Sequence, residues 1–208
     1  MKIAMQAAER HVLNVIVDNE PGILAKITGM FTARGYNIDS LTVADISEDH
    51  AISRITIVTN GPEPVIDQIR AQLERLVPVH KVIDLTESGA HVERELALVK
   101  VAGKGDNRVE ALRIAELFRA NVVDTTTSSF VFELTGSPDK INSFIALMRE
   151  LGLVEVGRSG IVGMMRGPAQ DLWSQLMSQR ALQSRMRAEA AASPYAQMFA
   201  QQRSARVL

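Results

Sequence analysis

The spacing of apolar residues switches between strand and helix periodicity along the first 85 residues. Short apolar runs predict strands, and apolar residues three or four positions apart predict helices. Proline and glycine mark the ends of the helical segments. The predicted order is a strand at 12–17, a helix between Gly22 and Gly35, a hairpin of strands at 38–46 and 52–60, a helix between Pro62 and Pro78, and a strand at 79–85.

The same pattern returns in the second half of the chain. Its predicted elements are a strand at 95–101, a helix at 109–118, a hairpin of strands at 122–127 and 130–134, a helix beginning after Pro138, and a strand at 153–156. Each half therefore has the order βαββαβ, which is typical of a ferredoxin-like sheet with both helices on one face. The sequence predicts an α+β protein of two tandem ferredoxin-like units.

This repeat divides the chain into four segments. The first unit is expected at 1–86, a short polar linker at 87–94, and the second unit at 95–167. The linker is too short to leave the two halves fully independent. Residues 168–208 are rich in Ala, Gln, Ser and Arg, which bury little surface, so we expect a helical or disordered extension there.

The strands of the first unit are too apolar on both faces for a sheet with one face in water. The residues concerned are Val15, Val17, Leu41, Val43, Ile55 and Ile57. Because the helices cover one face only, we expect a second sheet or a second subunit on the other face. This pattern predicts a homodimer.

Composition narrows the classes of function. The chain has 208 residues, 46% hydrophobic and 4% aromatic, with a formal charge of -1, so nothing favours a nucleic-acid partner. Cysteine is absent, which excludes disulfides, thiolate metal sites and a cysteine nucleophile. No apolar run is long enough to span a bilayer, and no nucleophile is paired with a base. We expect a cytosolic protein that is not an enzyme and contacts no membrane.

The loop after the first strand is the strongest candidate for a binding site. Gly22 lets a ligand approach the backbone, and the N–H groups that open the helix at 23–25 can hold a carboxylate. The amides of Asn19 and Asn37 each offer a donor and an acceptor, as a zwitterion requires. These amides would lie close together only if the first and second strands are neighbours. Turn chemistry explains Asn19 and Gly22 equally well, so the residues alone leave both interpretations open.

The chain contains four histidines, His11, His50, His80 and His91. None is spaced from another as zinc ligands are, and we do not expect the carboxylates to gather around them. We therefore expect no metal site. His91 lies between the two units, where an interdomain hydrogen-bonding role is expected.

Five short segments give a more specific indication. They read N-E-x-G-x-L from Asn19, R-G-Y-N-I-x-S-L-T-V from Arg34, S-R-x-T-I from Ser53, G-A-H-V-E-R-E-L from Gly89, and R-S-G-I-V-G from Arg158. Their order over residues 10–167 resembles the small regulatory subunit of acetolactate synthase, also called acetohydroxyacid synthase, whose first unit is an ACT domain. The second unit resembles the C-terminal domain of that family.

The resemblance implies a non-catalytic subunit. Such a subunit is expected to activate a thiamine-diphosphate enzyme and to confer feedback inhibition by branched-chain amino acids, with valine as the expected effector. Carried over residue by residue, the resemblance places effector binding at Asn19, Gly22 and Asn37, between two ACT protomers of a homodimer. The apolar wall for the branched side chain is expected from residues that are also expected core residues, namely Ile23, Leu24, Ile38 and Leu41.

The resemblance also implies a protein partner and no cofactor in this chain. Thiamine diphosphate, Mg²⁺ and FAD are expected in the large catalytic subunit, which Arg34 and Tyr36 are expected to contact. The wall residues do not discriminate among valine, leucine and isoleucine, because one methylene contributes only about 1 to 3 kcal/mol.

Two other functions use the same order of elements. An RNA-recognition motif needs aromatic residues on its sheet, whereas the strand at 52–60 carries none. An amino-acid-responsive transcriptional regulator needs a DNA-binding element, and the basic residues of the extension are the candidate for it. Both are kept as alternatives.

Overall fold

A computed structural model describes residues 8–167 and Ser178. The extension at 168–208 lies outside the described residues, apart from Ser178. The elements are β1 (Glu9–Asp18), α1 (Ile23–Ala33), β2 (Ser40–Asp45), β3 (Ile52–Gly61), α2 (Glu63–Glu74), β4 (Val79–Asp84), α3 (Leu85–Ser88), β5 (His91–Ala102), α4 (Asp106–Phe118), β6 (Asn121–Thr125), β7 (Ser129–Gly136), α5 (Pro138–Glu150), β8 (Leu153–Arg158) and β9 (Val162–Met165).

The first sheet has the strand order β2-β3-β1-β4, with antiparallel neighbours. The apolar residues of α1 recur at helical spacing and are buried, so this face of the helix packs on the sheet. The core contains alternate residues of β1 and β3 together with the inner faces of α1 and α2, including Leu13, Val15, Ile55, Ile27 and Ile66.

The second sheet repeats this arrangement with the order β6-β7-β5-β8. Its core includes Val99, Phe132 and Phe144, which lie on β5, β7 and α5. Ser137 caps α5 by accepting a hydrogen bond from the backbone N–H of Lys140, and proline follows at the first helical position. The expected pair of ferredoxin-like units is confirmed.

The polar stretch 87–94 differs from the linker that the sequence suggested. Asp84 ends β4 and caps α3, and β5 already begins at His91. The first four residues of β5 pair with β9, whereas residues 95–102 pair with β7 and residues 97–101 pair with β8. The start of β5 is polar, so the sequence pattern does not indicate a strand there. Its pairing partner β9 is about 70 residues away in the sequence, so neighbouring residues give no sign of the pairing. Both units belong to one compact body that ends at Arg166, and the proposed domain boundaries stay a prediction.

The two faces of the first sheet also differ from expectation. Val15, Val17, Ile55 and Ile57 belong to the core under the helices, and only Val43 of the cited set is exposed. The opposite face is covered in part by the same chain, in a small cluster formed by Val12, Val58, Leu85 and Ile161, with Ile83 and Met165 packed against it. Part of this face is therefore covered without a second subunit, and the homodimer stays a prediction.

Candidate functional site

The loop between β1 and α1 exposes both backbone and polar groups. Gly22 has a φ of 87° and precedes α1, which has no side-chain cap. Within such a first turn the N–H groups of Leu24 and Ala25 have no intrahelical acceptor. The N–H group of Ile23, which the sequence suggested as a further donor, instead donates to the carbonyl of Glu20 at 3.3 Å. The start of α1 can therefore receive a carboxylate at two N–H groups.

Asn19 is exposed beside this helix start. Its backbone N–H donates to the carbonyl of Ala51, and its side chain donates to the carbonyl of His50, both at 2.8 Å. These bonds attach the loop to the turn before β3. The side-chain oxygen of Asn19 is left as an acceptor facing solvent, which is the group that an ammonium would use.

The expected wall residues do not all reach the surface. Ile23 is 6% exposed and belongs to the core, whereas Leu24 is 40% exposed. Ile38 and Leu41 are half-buried and pack against the same core. Leu24 is thus the wall residue that is most available to a ligand.

Asn37 lies at the other end of the sheet. Its side chain donates to Asp39 at 2.5 Å, and its carbonyl accepts from Thr59 Oγ1 at 2.6 Å. The backbone of Asn19 is bonded to Ala51, which directly precedes β3, whereas Asn37 is bonded to Thr59, eight residues further along the chain. About 25 Å of extended strand therefore separates the contacts of Asn19 from those of Asn37. β3 also separates β1 from β2. The structure does not bring Asn19 and Asn37 together within one chain, because β1 and β2 are not neighbours.

The edge of the first sheet is β2, which pairs only with β3 among the described strands. Val43 on this strand is 44% exposed. An edge strand with free backbone groups and exposed apolar side chains is a surface to which another strand can be added.

Arg34 and Tyr36 make contacts inside the chain. Arg34 donates to Gln72 at 3.0 Å, and the Tyr36 hydroxyl donates to Gln68 at 3.3 Å, so both residues tie the end of α1 to α2. The Tyr36 ring also lies edge-on to Phe31, with 6.1 Å between ring centroids. Their expected role at a catalytic-subunit interface stays a prediction.

Each of the four histidines lies beside a carboxylate, contrary to the expectation from spacing. The pairs are His11 with Asp84 at 2.7 Å, His50 with Asp45, His80 with Asp18 at 2.8 Å, and His91 with Glu93 at 3.0 Å. The hydrogen bond to Asp45 raises the pKa of His50. Two of these pairs join residues more than 60 positions apart, which sequence spacing cannot reveal.

His11 and Asp84, with Glu87, place three possible ligand atoms within 4.8 Å of one another. The carboxylates already have partners in the chain. Asp84 accepts from the N–H groups of Thr86 and Glu87, and Glu87 accepts from Arg70 at 2.7 Å. These bonds explain the group as the cap of α3.

Two arginines that the sequence did not single out as site residues each form a pair of hydrogen bonds to one carboxylate, Arg10 between the two units and Arg158 within the second unit. Arg10 on β1 donates twice to Glu93 on β5, at 3.0 and 2.5 Å, and this bond lowers the pKa of Glu93. Arg158 donates twice to the buried Glu95, at 2.6 and 2.5 Å, and to Asn142 at 3.0 Å. A cavity of about 470 Å³ is lined by Arg10, Glu95 and Arg158, among other residues. Among the described residues, none of the helices has the length and the apolar character that a membrane span requires.

Comparison with known proteins gives two matching family models. Residues 13–81 match the acetohydroxyacid synthase small subunit-like ACT domain, and residues 94–167 match the small subunit of acetolactate synthase. The two matched ranges coincide with the two sheets and include Asn19, Gly22 and Asn37.

Relatives and one crystal structure extend this match over both units. The chain is 46% identical over 159 residues to the acetolactate synthase isozyme 3 small subunit of Salmonella typhimurium, covering 76% of this chain and 96% of the relative. It is 44% identical over 158 residues to a probable acetolactate synthase small subunit of Archaeoglobus fulgidus, covering 76% and 98%. The crystal structure of the acetolactate synthase small subunit from Thermotoga maritima aligns with a TM-score of 0.70 and 36% identity, over 77% of this chain and 99% of that one. The chain therefore belongs to the acetolactate synthase small-subunit family, and its first unit is an ACT domain.

Proposed function

We propose that this chain is a non-catalytic regulatory subunit that binds the large catalytic subunit of acetolactate synthase, raises its activity and makes it sensitive to branched-chain amino acids, with valine as the preferred effector. The observation that carries the proposal is the start of α1, where Gly22 opens an uncapped helix beside the exposed Asn19. The chemistry on pyruvate, and the thiamine diphosphate, Mg²⁺ and FAD that it needs, belong to the partner. The cytosolic location stays a prediction.

The helix start suits one half of an amino acid. A carboxylate at the N–H groups of Leu24 and Ala25 gains from the hydrogen bonds and from the positive end of the helix. A ligand can approach because Gly22 has no side chain and nothing lies within 4 Å of where a Cβ would be. An aliphatic side chain of valine size gains about 1.5 to 3 kcal/mol when buried, and Leu24 offers part of the surface that would bury it.

The second half of the site requires a second protomer. β1 and β2 are both antiparallel to β3, so they run in the same direction. If two β2 edges pair antiparallel about a two-fold axis, the start of one β2 lies opposite the end of the other. Asn37 precedes β2, whereas the β1–α1 loop lies at the sheet end where β2 finishes. The proposed dimer thus brings Asn37 of one protomer toward the α1 start of its partner and resolves the separation within one chain.

Regulation then follows from population shift. An effector that binds one arrangement of the dimer more tightly raises the population of that arrangement. A coupling of about 1 to 3 kcal/mol between effector and catalytic subunit is typical, and it must be equal in both directions.

The test combines the purified chain with its catalytic subunit and measures acetolactate formation with and without valine, leucine or isoleucine. Gly22→Asp adds a negative charge where the carboxylate binds, and Asn37→Ala removes an amide. We expect both variants to stimulate the enzyme as the wild type does and to lose feedback inhibition.

Matched controls come from the second unit. Gly105→Asp changes the glycine with positive φ that precedes α4, and Asn107→Ala removes an exposed amide from the first turn of that helix. Both controls should keep inhibition. Unchanged inhibition in Gly22→Asp and Asn37→Ala would refute the proposed site, and an absence of stimulation by the wild type would refute the proposed function.

A further inference from the structure

A row of polar side chains crosses the first sheet on the face away from α1 and α2. Asn14 on β1 lies opposite Thr56 on β3, which lies opposite Thr42 on β2. Asn14 and Thr56 are buried, and Thr56 Oγ1 donates to Asn14 Oδ1 at 2.9 Å. This bond fixes the orientation of the Asn14 amide, because its oxygen is the acceptor and its nitrogen must donate elsewhere.

Residues 159–165, which we call the strap, lie on this polar row. Asn14 Nδ2 donates to the carbonyl of Gly163 at 2.9 Å. On β2, Ser40 Oγ accepts from the N–H of Ile161 at 3.0 Å, and Thr42 Oγ1 donates to the carbonyl of Ser159 at 3.5 Å. The strap is therefore anchored at one end to β1 and at the other to β2, two strands that are not neighbours.

Two glycines allow the strap to lie this close. A Cβ on Gly160, which has a φ of 83°, would lie 2.7 Å from Thr42 Oγ1 and 3.0 Å from Ser40 Oγ. A Cβ on Gly163 would lie 2.5 Å from Leu85 Cδ1. The backbone of the strap thus packs against the sheet at Gly160 and against α3 at Gly163, with the buried Ile161 between the two glycines.

The strap is also a direct continuation of the second unit. It follows β8 without a break, and Ser159 continues the pairing with β5, because its N–H donates to the carbonyl of Leu96 and its Oγ accepts from the Leu96 N–H. Its last four residues form β9, which pairs with the start of β5. A movement of the strap therefore moves backbone that belongs to the second sheet.

The two anchoring strands are those that carry the proposed effector residues. Asn19 lies directly after the end of β1, and Asn37 and Ile38 lie just before the start of β2 at Ser40. We propose that the strap transmits effector binding from the first unit to the second, which rests on the effector site proposed above. A shift of β2 relative to β1 changes the separation of the two anchors, and the strap can keep all three hydrogen bonds in only one arrangement.

Buried polar contacts are suited to this role. Apolar packing alone tolerates small sliding, whereas a satisfied buried amide and hydroxyl pair specifies one register. Because interfaces of this kind have discrete arrangements, a small displacement at β2 is passed on as a choice between two states of the strap.

The experiment uses the double variant Ser40→Ala with Thr42→Val, which removes the β2 anchors at half-buried positions. Valine affinity is measured by calorimetry for the free chain and for its complex with the catalytic subunit. In the wild type the two affinities should differ by a coupling factor of about 5 to 150. In the double variant we expect the two affinities to agree within about 2-fold, with stimulation of the enzyme retained.

A matched control removes the same two hydroxyl types far from the strap. Thr125→Val with Ser128→Ala changes exposed residues of the β6–β7 hairpin and should keep the wild-type factor. A strap that only stabilises the fold would lower the melting temperature and leave the coupling factor unchanged. Should the double variant fail to fold, as judged by circular dichroism, Thr42→Val alone is held to the same criterion.

The outcomes separate this inference from the proposed function. A wild-type coupling factor that persists in the strap variant overturns the role of the strap and leaves the effector site standing. A wild-type chain that binds no branched-chain amino acid overturns both. Equal affinities in the variant, beside unequal ones in the wild type and the control, support transmission through the strap.

Discussion

Replacing Arg158 with alanine is expected to destabilise the fold, because it leaves a buried carboxylate without its cation. The Glu95 side chain is 2% exposed, and both of its oxygens accept hydrogen bonds from Arg158, at 2.6 and 2.5 Å. The hydrogen bond to Glu95 is also the main cause that raises the pKa of Arg158. After truncation the carboxylate loses both charge-assisted bonds at once.

The magnitude follows from the surroundings of the pair. Removing one partner of a buried ion pair costs about 3 to 5 kcal/mol. Arg158 is 38% exposed and borders the cavity of about 470 Å³, so water reaches the carboxylate more easily than in a closed core. We therefore expect about 2 to 3 kcal/mol. At about 2 to 4 °C per kcal/mol for a protein of this size, the melting temperature should fall by about 4 to 12 °C.

Thermal unfolding followed by circular dichroism measures this loss. Arg70→Ala is the matched control, because Arg70 bonds to Glu87 at 2.7 Å but both side chains are 34% exposed, and it should cost no more than about 1 kcal/mol. Combining Arg158→Ala with Glu95→Gln removes the unpaired charge and should recover part of the loss. If Arg158→Ala and Arg70→Ala melt within about 2 °C of each other, the reasoning is refuted.

Two further predictions concern acid and packing. The pKa of Glu93 is lowered in the folded protein, chiefly by the hydrogen bond from Arg10. This interaction stabilises the fold at pH values above the ordinary pKa of 4.5, and the stabilisation is lost as the pH falls through the lower pKa of the folded state. Glu93→Gln should therefore flatten the acid side of a profile of urea unfolding against pH, and an unchanged slope would contradict this. Gly163→Ala should cost about 1 to 3 kcal/mol in urea unfolding through its clash with Leu85. Gly29→Ala, with nothing within 4 Å, should instead stabilise α1 by about 0.5 to 1 kcal/mol, and equal effects would argue against the clash.

The order of elements could be predicted because its signals are local. Helix periodicity between Gly22 and Gly35 and the proline before α5 depend on neighbours within a few residues, and these elements appear where the sequence indicated. The start of α1 could likewise be recognised as a candidate site, since an exposed asparagine and a glycine before a helix are visible in the sequence.

The rest depends on contacts between distant residues. The start of β5 is polar and reads as a linker until β9 pairs with it, and Asn14 appears unfavourable in a strand until Thr56 and Gly163 satisfy its amide. Asn19 and Asn37 were expected to meet within one chain only if β1 and β2 were neighbours, and strand order is a property of the whole sheet that is not encoded in either loop.

The pairing of β5 with β9 also limits how such a protein can be recombined. A crossover between two related genes anywhere in residues 95–161 would join one parent's strand 91–94 to the other parent's strand 162–165. The hybrid would have to match two backbones that were never selected together. We therefore expect recombination to leave the two halves together, although each half has the fold of a domain that occurs on its own.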